Sequence, residues 1–174
     1  YFSRYNLSTA HPLLKQLIGI PYNSYGAIVG TALLIYGLTV FLGGPPTDIF
    51  GGKKAILAGS AGALVSNILF GSLYFLVDRN IVANVGASFK FGFNLLNIVS
   101  IMTFIWSLNY FFQSFGALAI VKINSAWYSK KERGTFSGKF GSVIQLGRML
   151  VLLICPWILY SLPWCYVFFI PALF

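Results

Sequence analysis

Charged residues are scarce in this sequence: they make up 9% of its 174 residues, and only three of them are acidic. Hydrophobic residues reach 57%, far from the mixture of a soluble domain. Paired carboxylates are absent, the single histidine, His11, lies near a loop, and no serine has a plausible base. Cys155 and Cys165 lie in apolar surroundings, without a metal or redox motif. The sequence therefore predicts neither an enzyme nor a bound cofactor or metal.

Strongly basic clusters are also absent, although the formal net charge is +9. The largest group of basic residues consists of Lys130, Lys131 and Arg133. In a membrane protein such a group marks the cytoplasmic side, whereas nucleic-acid binding needs a wider basic surface. We therefore predict no nucleic-acid partner.

Long apolar runs are what the sequence has in quantity. A spanning helix needs roughly 20 mainly apolar residues, and four charge-free runs reach that length: Gln16–Thr47, Ala55–Val77, Phe91–Val121 and Met149–Phe174. Their apolarity is continuous rather than alternating, which favours helices over a transmembrane barrel. The predicted fold class is all-α, a polytopic helical bundle within the lipid bilayer.

The runs divide the chain into six predicted spans, of which the first and the last are incomplete. The predicted bounds are Tyr1–Leu14, with Pro12 and Lys15 near its exit, Ser24–Leu42, Lys54–Val77, Asn94–Trp127, Thr135–Tyr160, and a sixth span from about Pro163. Because the chain begins without methionine and stops inside an apolar run, we interpret it as a fragment.

Loop charge predicts the orientation of these spans. If the second-to-third and fourth-to-fifth loops share a side, that side carries six cationic residues against three on the other. The positive-inside rule then makes it cytoplasmic. The six are Lys53, Lys54, Lys130, Lys131, Arg133 and Lys139, and the three are Lys15, Arg79 and Lys90.

Small residues recur inside the spans at spacings that share a helical face. They are Gly26, Gly30 and Gly37, then Ala58, Gly62 and Ser66, and finally Gly134, Gly138 and Gly141. Such faces allow helices to approach closely. They favour either static packing or helices that slide and rock against one another.

Two arginines lie at central depth in predicted spans, where an ionisable residue marks a pathway, a partner or a substrate site. Arg148 lies roughly 13 Å beyond Lys139 along the fifth span, and Arg4 about 12 Å inside the end of the first. A guanidinium offers paired donors that suit phosphate or carboxylate. We predict that Arg4 binds an anion, with Tyr1 one turn away. Arg148 either faces the same water-filled cavity or has a buried structural role.

Other polar residues of the fourth span are open to two interpretations. Lys122 lies within two turns of the membrane surface, so it either snorkels or pairs with Asp48, or it contacts substrate directly. Asn109, Gln113 and Gly116 follow at spacings of four and three, a polar stripe that favours the bundle interior. We predict that Asn109 and Gln113 complete the anion pocket.

The stretch GGPPTDIFGGKK resembles the loop between the second and third helices of the major facilitator superfamily. Gly44, Asp48 and Gly51, followed by Lys53 and Lys54, fill that motif, whereas Ile49 stands where the family usually has arginine. The resemblance implies that Asp48, buried at the mouth of the bundle, latches the cytoplasmic side with Lys53 and Lys54.

Two further stretches are similar to the organophosphate:phosphate antiporters within that superfamily. Between Phe111 and Gly138 the shared features are Phe112-Gln113, Gly116, Lys122, Trp127 and the run from Lys131 through Arg133 to Gly134. In the first helix, Arg4 and Asn6 occupy the positions that contact substrate phosphate in that family. Three departures stand beside them: Val40 replaces a lysine, Ile144 replaces a histidine, and Arg148 has no expected counterpart. Either Arg148 replaces the missing positive charge or the ligand is not a typical sugar phosphate.

The resemblance implies that residues 1–174 are the N-terminal six-helix half of a major facilitator fold, whose partner is its own C-terminal half. It also implies an integral, multi-pass protein of the bacterial inner membrane that exchanges an organic phosphate for inorganic phosphate by alternating access. A proton- or sodium-coupled carboxylate symporter and a transporter-like membrane sensor are the alternatives. A purely structural membrane protein is disfavoured by the two central arginines.

Overall fold

The computed structural model describes residues 2–78 and 98–172, and all the regular elements in these ranges are helices. Tyr1, Arg79, Lys90 and the predicted start of the fourth span at Asn94 lie outside the described residues. The helices are α1 (Phe2–Ile18), α2 (Tyr22–Leu42), α3 (Gly44–Phe50), α4 (Gly52–Asp78), α5 (Ile98–Trp127), α6 (Arg133–Ser161) and α7 (Tyr166–Ala172).

Four of these helices, α2, α4, α5 and α6, are long and apolar enough to cross a membrane. They confirm the predicted second to fifth spans. The first span was predicted to end near Leu14, but α1 continues through Pro12 to Ile18. A proline removes one backbone donor without ending the helix here, which is tolerated where neighbouring groups satisfy the freed carbonyl.

The polar interruption between α2 and α4 contains the short helix α3, where the sequence predicted only a turn. Gly43 ends α2, and its amide still donates to the Thr39 carbonyl at 2.7 Å. Prolines then occupy the first turn of α3, where their missing amide costs nothing. Gly51 ends α3 with φ of 81°, a left-handed conformation that glycine adopts without steric cost.

The bundle is arranged around α5, which packs against α2 on one side and α4 on the other. Helix α7 packs against α4, and α1 packs against α6 and α7. The largest buried side chains form an aromatic cluster in which the Phe70 ring lies 5.2 Å from Trp106 and 4.6 Å from Phe168. Because lipid is as apolar as these rings, close van der Waals packing and not water exclusion holds the three helices together.

The predicted small-residue face of α4 packs against α5, with one change of register. Gly62 and Ser66 lie on that face, but Ala58 is exposed and Gly59 takes its place. A methyl group at Gly62 would overlap the Phe112 ring, and one at Gly59 would lie 2.8 Å from the Phe112 carbonyl oxygen. The glycines are therefore required by the distance between α4 and α5.

The predicted glycine faces of α2 and α6 have no such neighbour among the described residues. A Cβ added at Gly26, Gly30, Gly37, Gly134, Gly138 or Gly141 would meet nothing within 4 Å. The tight packing proposed for these positions is therefore absent within the described part of the chain.

A buried hydrogen-bond network joins the helices through amide side chains. Asn6 Nδ2 donates to Asn67 Oδ1 at 2.9 Å and to the Val167 carbonyl at 3.3 Å, which links α1 to α4 and α7. The Ala63 carbonyl accepts from Asn67 Nδ2 at 2.9 Å and from Asn109 Nδ2 at 3.3 Å. Asn6, Asn67 and Asn109 have no exposed surface, so the network fixes α1 and α5 on α4.

Substituting Asn67 by alanine tests this network. The Asn6 amide would lose a partner inside a membrane, and we expect a loss of about 1 kcal/mol, typical of interhelical hydrogen bonds there. Unfolding can be followed with a thiol-reactive dye, because Cys155 and Cys165 are both buried. Ser72→Ala is the control, since this hydroxyl bonds only within α4, to the Ile68 carbonyl. Equal midpoints for the two variants would contradict a linking role for Asn67.

Candidate functional site

Arg4 lies on α1 between two tyrosines from other helices. Its guanidinium carbon is 4.3 Å from the ring centroid of Tyr36 on α2 and 4.8 Å from that of Tyr110 on α5. The two rings meet edge to face, 6.2 Å apart. The negative ring faces stabilise the cation without neutralising it. Three helices therefore meet at one half-buried arginine.

This arginine has no carboxylate beside it among the side chains that the structure describes, where the ion pair present is that of Lys122 with Asp48. A cation within a spanning bundle is costly unless an anion or water-filled space accompanies it. The planar fork of the guanidinium keeps donors available for a carboxylate or phosphate. The arrangement can hold an anionic ligand and offers no group for bond cleavage.

Arg148 approaches the same part of α1 from α6. Its guanidinium carbon is 5.0 Å from the ring centroid of Tyr5, the residue after Arg4. Arg148 is exposed among the described residues, and both of its predicted roles, facing the cavity or a buried structural role, stay predictions. The structure brings both arginines to the N-terminal turns of α1, on different tyrosines.

Asn109 and Gln113, the other predicted pocket residues of α5, are joined by a side-chain hydrogen bond. Asn109 is fully buried and donates to the backbone of α4, and Gln113 Nε2 donates to Asn109 Oδ1. Asn6, implied as a phosphate contact, is likewise buried in the α1–α4–α7 interface. These contacts make Asn6 and Asn109 helix-packing residues. Tyr1, the other predicted pocket residue, lies outside the described residues.

The tyrosines around Arg4 are what sequence reasoning missed. Neither Tyr36 nor Tyr110 was among the predicted pocket residues. A signal existed: each is a phenol within a spanning helix, Tyr36 between apolar neighbours in α2 and Tyr110 beside Asn109 in α5. Aromatic residues are common in such helices, so only the fold identifies the two that meet Arg4.

The second polar site lies where α3 meets α5, at the end of the bundle called here the α3 end. Lys122 Nζ lies 2.7 Å from Asp48 Oδ1. It also donates to the Asp48 carbonyl at 2.9 Å and to the Thr47 carbonyl at 3.4 Å. Lys122 therefore caps the C-terminal end of α3 as well as pairing with its acidic residue. The predicted alternative of an ion pair between Lys122 and Asp48 is confirmed.

Two details of the predicted latch are wrong. Asp48 was expected to be buried, but its side chain is 74% exposed because it lies on the outer side of α3. Lys53 and Lys54 were expected to pair with it, yet both are exposed, and Lys122 is the described ion-pair partner of Asp48. The motif glycines Gly44 and Gly51 lie at the two ends of α3.

Arg133 is the first residue of α6, directly after the turn from α5 and also at the α3 end. Its Nη2 donates to the Ser125 carbonyl at 2.7 Å and its Nε to the Tyr128 carbonyl at 3.1 Å, so it caps α5. The adjacent Glu132 accepts from the hydroxyl and the amide of Ser129, and these bonds lower the pKa of its carboxyl below the usual value. The pair fixes the turn and leaves Lys130 and Lys131 in solvent.

The asymmetry of the α3 cap is testable with Lys122→Gln and Asp48→Asn. Lys122 bonds two backbone carbonyls besides Asp48, so we expect its loss to lower stability more than the loss of the exposed carboxylate. The ion pair itself contributes at most about 1 kcal/mol because both side chains contact solvent. A double-mutant cycle of thermal unfolding measures both quantities. Equal losses from the two single variants would contradict the capping role.

The sequence matches the family profile described as Major Facilitator Superfamily over residues 1–174. It is 24% identical over 173 residues to a probable hexose phosphate transport protein of Chlamydia trachomatis serovar D, covering 99% of this chain and 33% of that protein. The corresponding protein of Chlamydia muridarum gives the same values.

A relative of another kind is the membrane sensor protein UhpC of Salmonella typhimurium, which is 25% identical over 154 residues, covering 88% of this chain and 30% of the sensor. No solved structure matches the chain. The chain spans about a third of the length of the curated relatives it matches.

Proposed function

The chain belongs to the Major Facilitator Superfamily, and from that premise we propose that it is part of a transporter for a phosphorylated small metabolite, with hexose phosphates as the favoured class. The chain is an integral, multi-pass membrane bundle. Two relatives are named for hexose phosphate transport. Because the chain spans about a third of their length, the second half of the site comes from the remainder of the protein.

Arg4 is the observation that carries this proposal. Its guanidinium lies at the junction of α1, α2 and α5 against the rings of Tyr36 and Tyr110, and no described carboxylate competes for it. A phosphate monoester carries close to two negative charges and several acceptor oxygens, which suit a guanidinium fork. Arg148 is the second cation of the proposal, 5.0 Å from the ring of Tyr5. In the organophosphate:phosphate antiporters a lysine of the second helix provides a positive charge, and this chain has Val40 at that position. Arg148 supplies that charge instead.

The α3 end is the proposed inner gate. Alternating access requires contacts that hold one end of the bundle and then release it. An ion pair between two partly exposed side chains meets that requirement, because it costs little to break. Lys53 and Lys54 remain close to this gate and orient the protein in the bilayer.

Exchange for inorganic phosphate is the proposed mode of coupling. Proteoliposomes containing the full-length protein test it directly. Uptake of glucose 6-phosphate should increase when the vesicles are loaded with phosphate and should be insensitive to an imposed proton gradient. A proton-driven symporter gives the opposite pattern, and a carboxylate transporter responds to a carboxylate and not to the sugar phosphate.

A sensor is the second candidate, because one relative is named as a membrane sensor. Both candidates use the same anion site, so ligand binding alone does not separate them. Net flux does: a sensor binds glucose 6-phosphate in detergent but accumulates none in phosphate-loaded vesicles.

A further inference from the structure

An apolar groove opens between α4 and α5, beneath α3. Its volume is about 360 Å³. The walls are the rings of Phe111, Phe112 and Phe115 on α5 and the methyl groups of Ala55 and Ala58 on α4. Phe111 contacts both other rings, with centroids 5.3 Å apart in each case. The groove is therefore a continuous hydrocarbon surface between two membrane-spanning helices.

The shape of the groove depends on Gly62. The Phe112 ring lies directly over this glycine, where any side chain would overlap it. The ring thus lies against α4 and forms one wall, and Ala58, one turn earlier on α4, keeps the floor shallow. Ala58 is exposed even though it lines the groove, so the groove opens to the outside of the described bundle.

A positive charge lies at the mouth of this groove. Lys54 is part of the lining and is exposed. It has no ion-pair partner among the described side chains, whereas Lys122 on the neighbouring helix is paired with Asp48. The rim therefore combines an unneutralised ammonium with an apolar interior.

The edge of α3 extends this surface. Phe50 lines the groove and is 63% exposed, and Ile49 beside it is 82% exposed. These apolar residues lie next to Lys53 and Lys54, a combination that suits the boundary between headgroups and acyl chains. Ile49 stands where the loop motif usually has arginine, and its exposed side chain adds apolar surface to this edge.

We propose that the groove binds one anionic phospholipid, with an acyl chain against Phe111, Phe112, Phe115 and Ala58 and its phosphate beside Lys54. Basic sites between spanning helices on the cytoplasmic side bind acidic headgroups by this combination of charge and apolar surface. Lys54 is the one cation among the described lining residues, so a free phosphate has no second positive charge to hold it here. A zwitterionic lipid fills the groove but gains less from Lys54. The site is separate from Arg4 and does not depend on the proposed substrate.

Native mass spectrometry of the purified full-length protein tests the charge. Dioleoylphosphatidylglycerol is titrated against dioleoylphosphatidylcholine, which has the same chains. We expect Lys54→Gln to weaken phosphatidylglycerol binding about fivefold, the effect of one lysine near an anionic lipid, and to leave phosphatidylcholine unchanged. Lys53→Gln is the matched control, because it removes the same charge one residue away and does not line the groove. Equal effects of the two variants, or equal wild-type affinity for both lipids, would overturn the proposal.

Ala58→Trp tests the groove itself. An indole there fills the floor, so we expect the phosphatidylglycerol bound at this site to be lost. Leu57→Trp is the control, since Leu57 is 59% exposed and lies outside the groove. Retained phosphatidylglycerol binding in Ala58→Trp would contradict the proposal. So would a wild-type dimer without bound lipid that becomes a monomer in Ala58→Trp, because the groove would then be a contact between two copies of the protein. If Ala58→Trp unfolds in the thiol-dye assay, the two lysine variants still decide, because both change exposed side chains.

Discussion

Replacing Arg4 by alanine is expected to lower the affinity for glucose 6-phosphate about 100-fold or more. Removing one partner of a buried, hydrogen-bonded charge pair costs roughly 2–5 kcal/mol, which corresponds to this loss. The measurement is the rise in unfolding temperature of the full-length protein with added ligand, since a ligand that binds the native state stabilises it. Glucose, which lacks the phosphate, should produce no rise in either protein.

The control for Arg4→Ala is Lys15→Ala. Lys15 lies on the same helix and also stacks on a tyrosine, with its Nζ 4.3 Å from the ring centroid of Tyr22. Both substitutions remove one charge from α1 and its cation–π contacts, two at Arg4 and one at Lys15, so a general effect of losing a stacked cation would be common to both. Only Arg4→Ala should abolish the ligand shift. If the affinity of Arg4→Ala for glucose 6-phosphate, derived from the rise in unfolding temperature, lies within threefold of the wild-type value, Arg4 is excluded as the anion-binding residue.

Arg4→Lys separates the charge of Arg4 from its geometry. Lysine keeps the positive charge but loses the planar fork that binds two oxygens at once. We expect affinity between those of wild type and Arg4→Ala. If lysine restores wild-type affinity, the site recognises charge alone, and the inferred fit to phosphate is wrong.

Gly62→Ala is expected to destabilise the bundle by about 1–3 kcal/mol, as an overpacked core does. The added methyl group overlaps the base of the Phe112 ring, which cannot swing aside as the end of a long side chain can. Helices α4 and α5 must then separate, which also weakens the 3.3 Å bond from Asn109 to Ala63. The midpoint of unfolding, followed with the thiol-reactive dye, should fall by several degrees.

Gly116→Ala provides the matched control for Gly62. A Cβ at Gly116 meets nothing within 4 Å, and the residue lies on α5 one turn beyond Phe112. Alanine is the better helix former by up to about 1 kcal/mol, so this variant should be as stable as wild type or more stable. The two substitutions are chemically identical and should have opposite effects. Similar midpoints would show that the α4–α5 distance does not depend on Gly62.

The spans were predictable because the bilayer imposes a length, and length is visible in a sequence. α2, α4, α5 and α6 follow from charge-free runs without knowledge of their neighbours. The pair of Lys122 with Asp48 was also within reach, since depth below the membrane surface limits which partners a lysine can meet. Both inferences use only the depth of a residue along the membrane normal.

The rotation of each helix about its axis was not predictable in this way. Asn109 and Gln113 form a polar stripe, but spacing shows only that they share a face, and that face packs against α4. For the same reason Ala58 was predicted on the face that packs against α5, where Gly59 lies instead, and Tyr36 and Tyr110 were not predicted to meet Arg4. The helix α3 was missed for another reason. Prolines suggest a break in a helix, but in the first turn the backbone amide has no intrahelical acceptor, so a proline there costs no hydrogen bond.

A cation that rests on aromatic rings has a consequence for pH. Arginine does not lose its proton in proteins, and the faces of the two rings beside Arg4 hold the cation through their quadrupole and not through an ionised carboxylate. The charge offered to a ligand is therefore constant over the physiological range. A phosphate monoester, in contrast, loses its second proton near pH 6. For the proposed phosphate ligand we therefore expect the pH dependence of binding to come from the ligand: its affinity should increase as the monoanion becomes the dianion and should level off above neutrality.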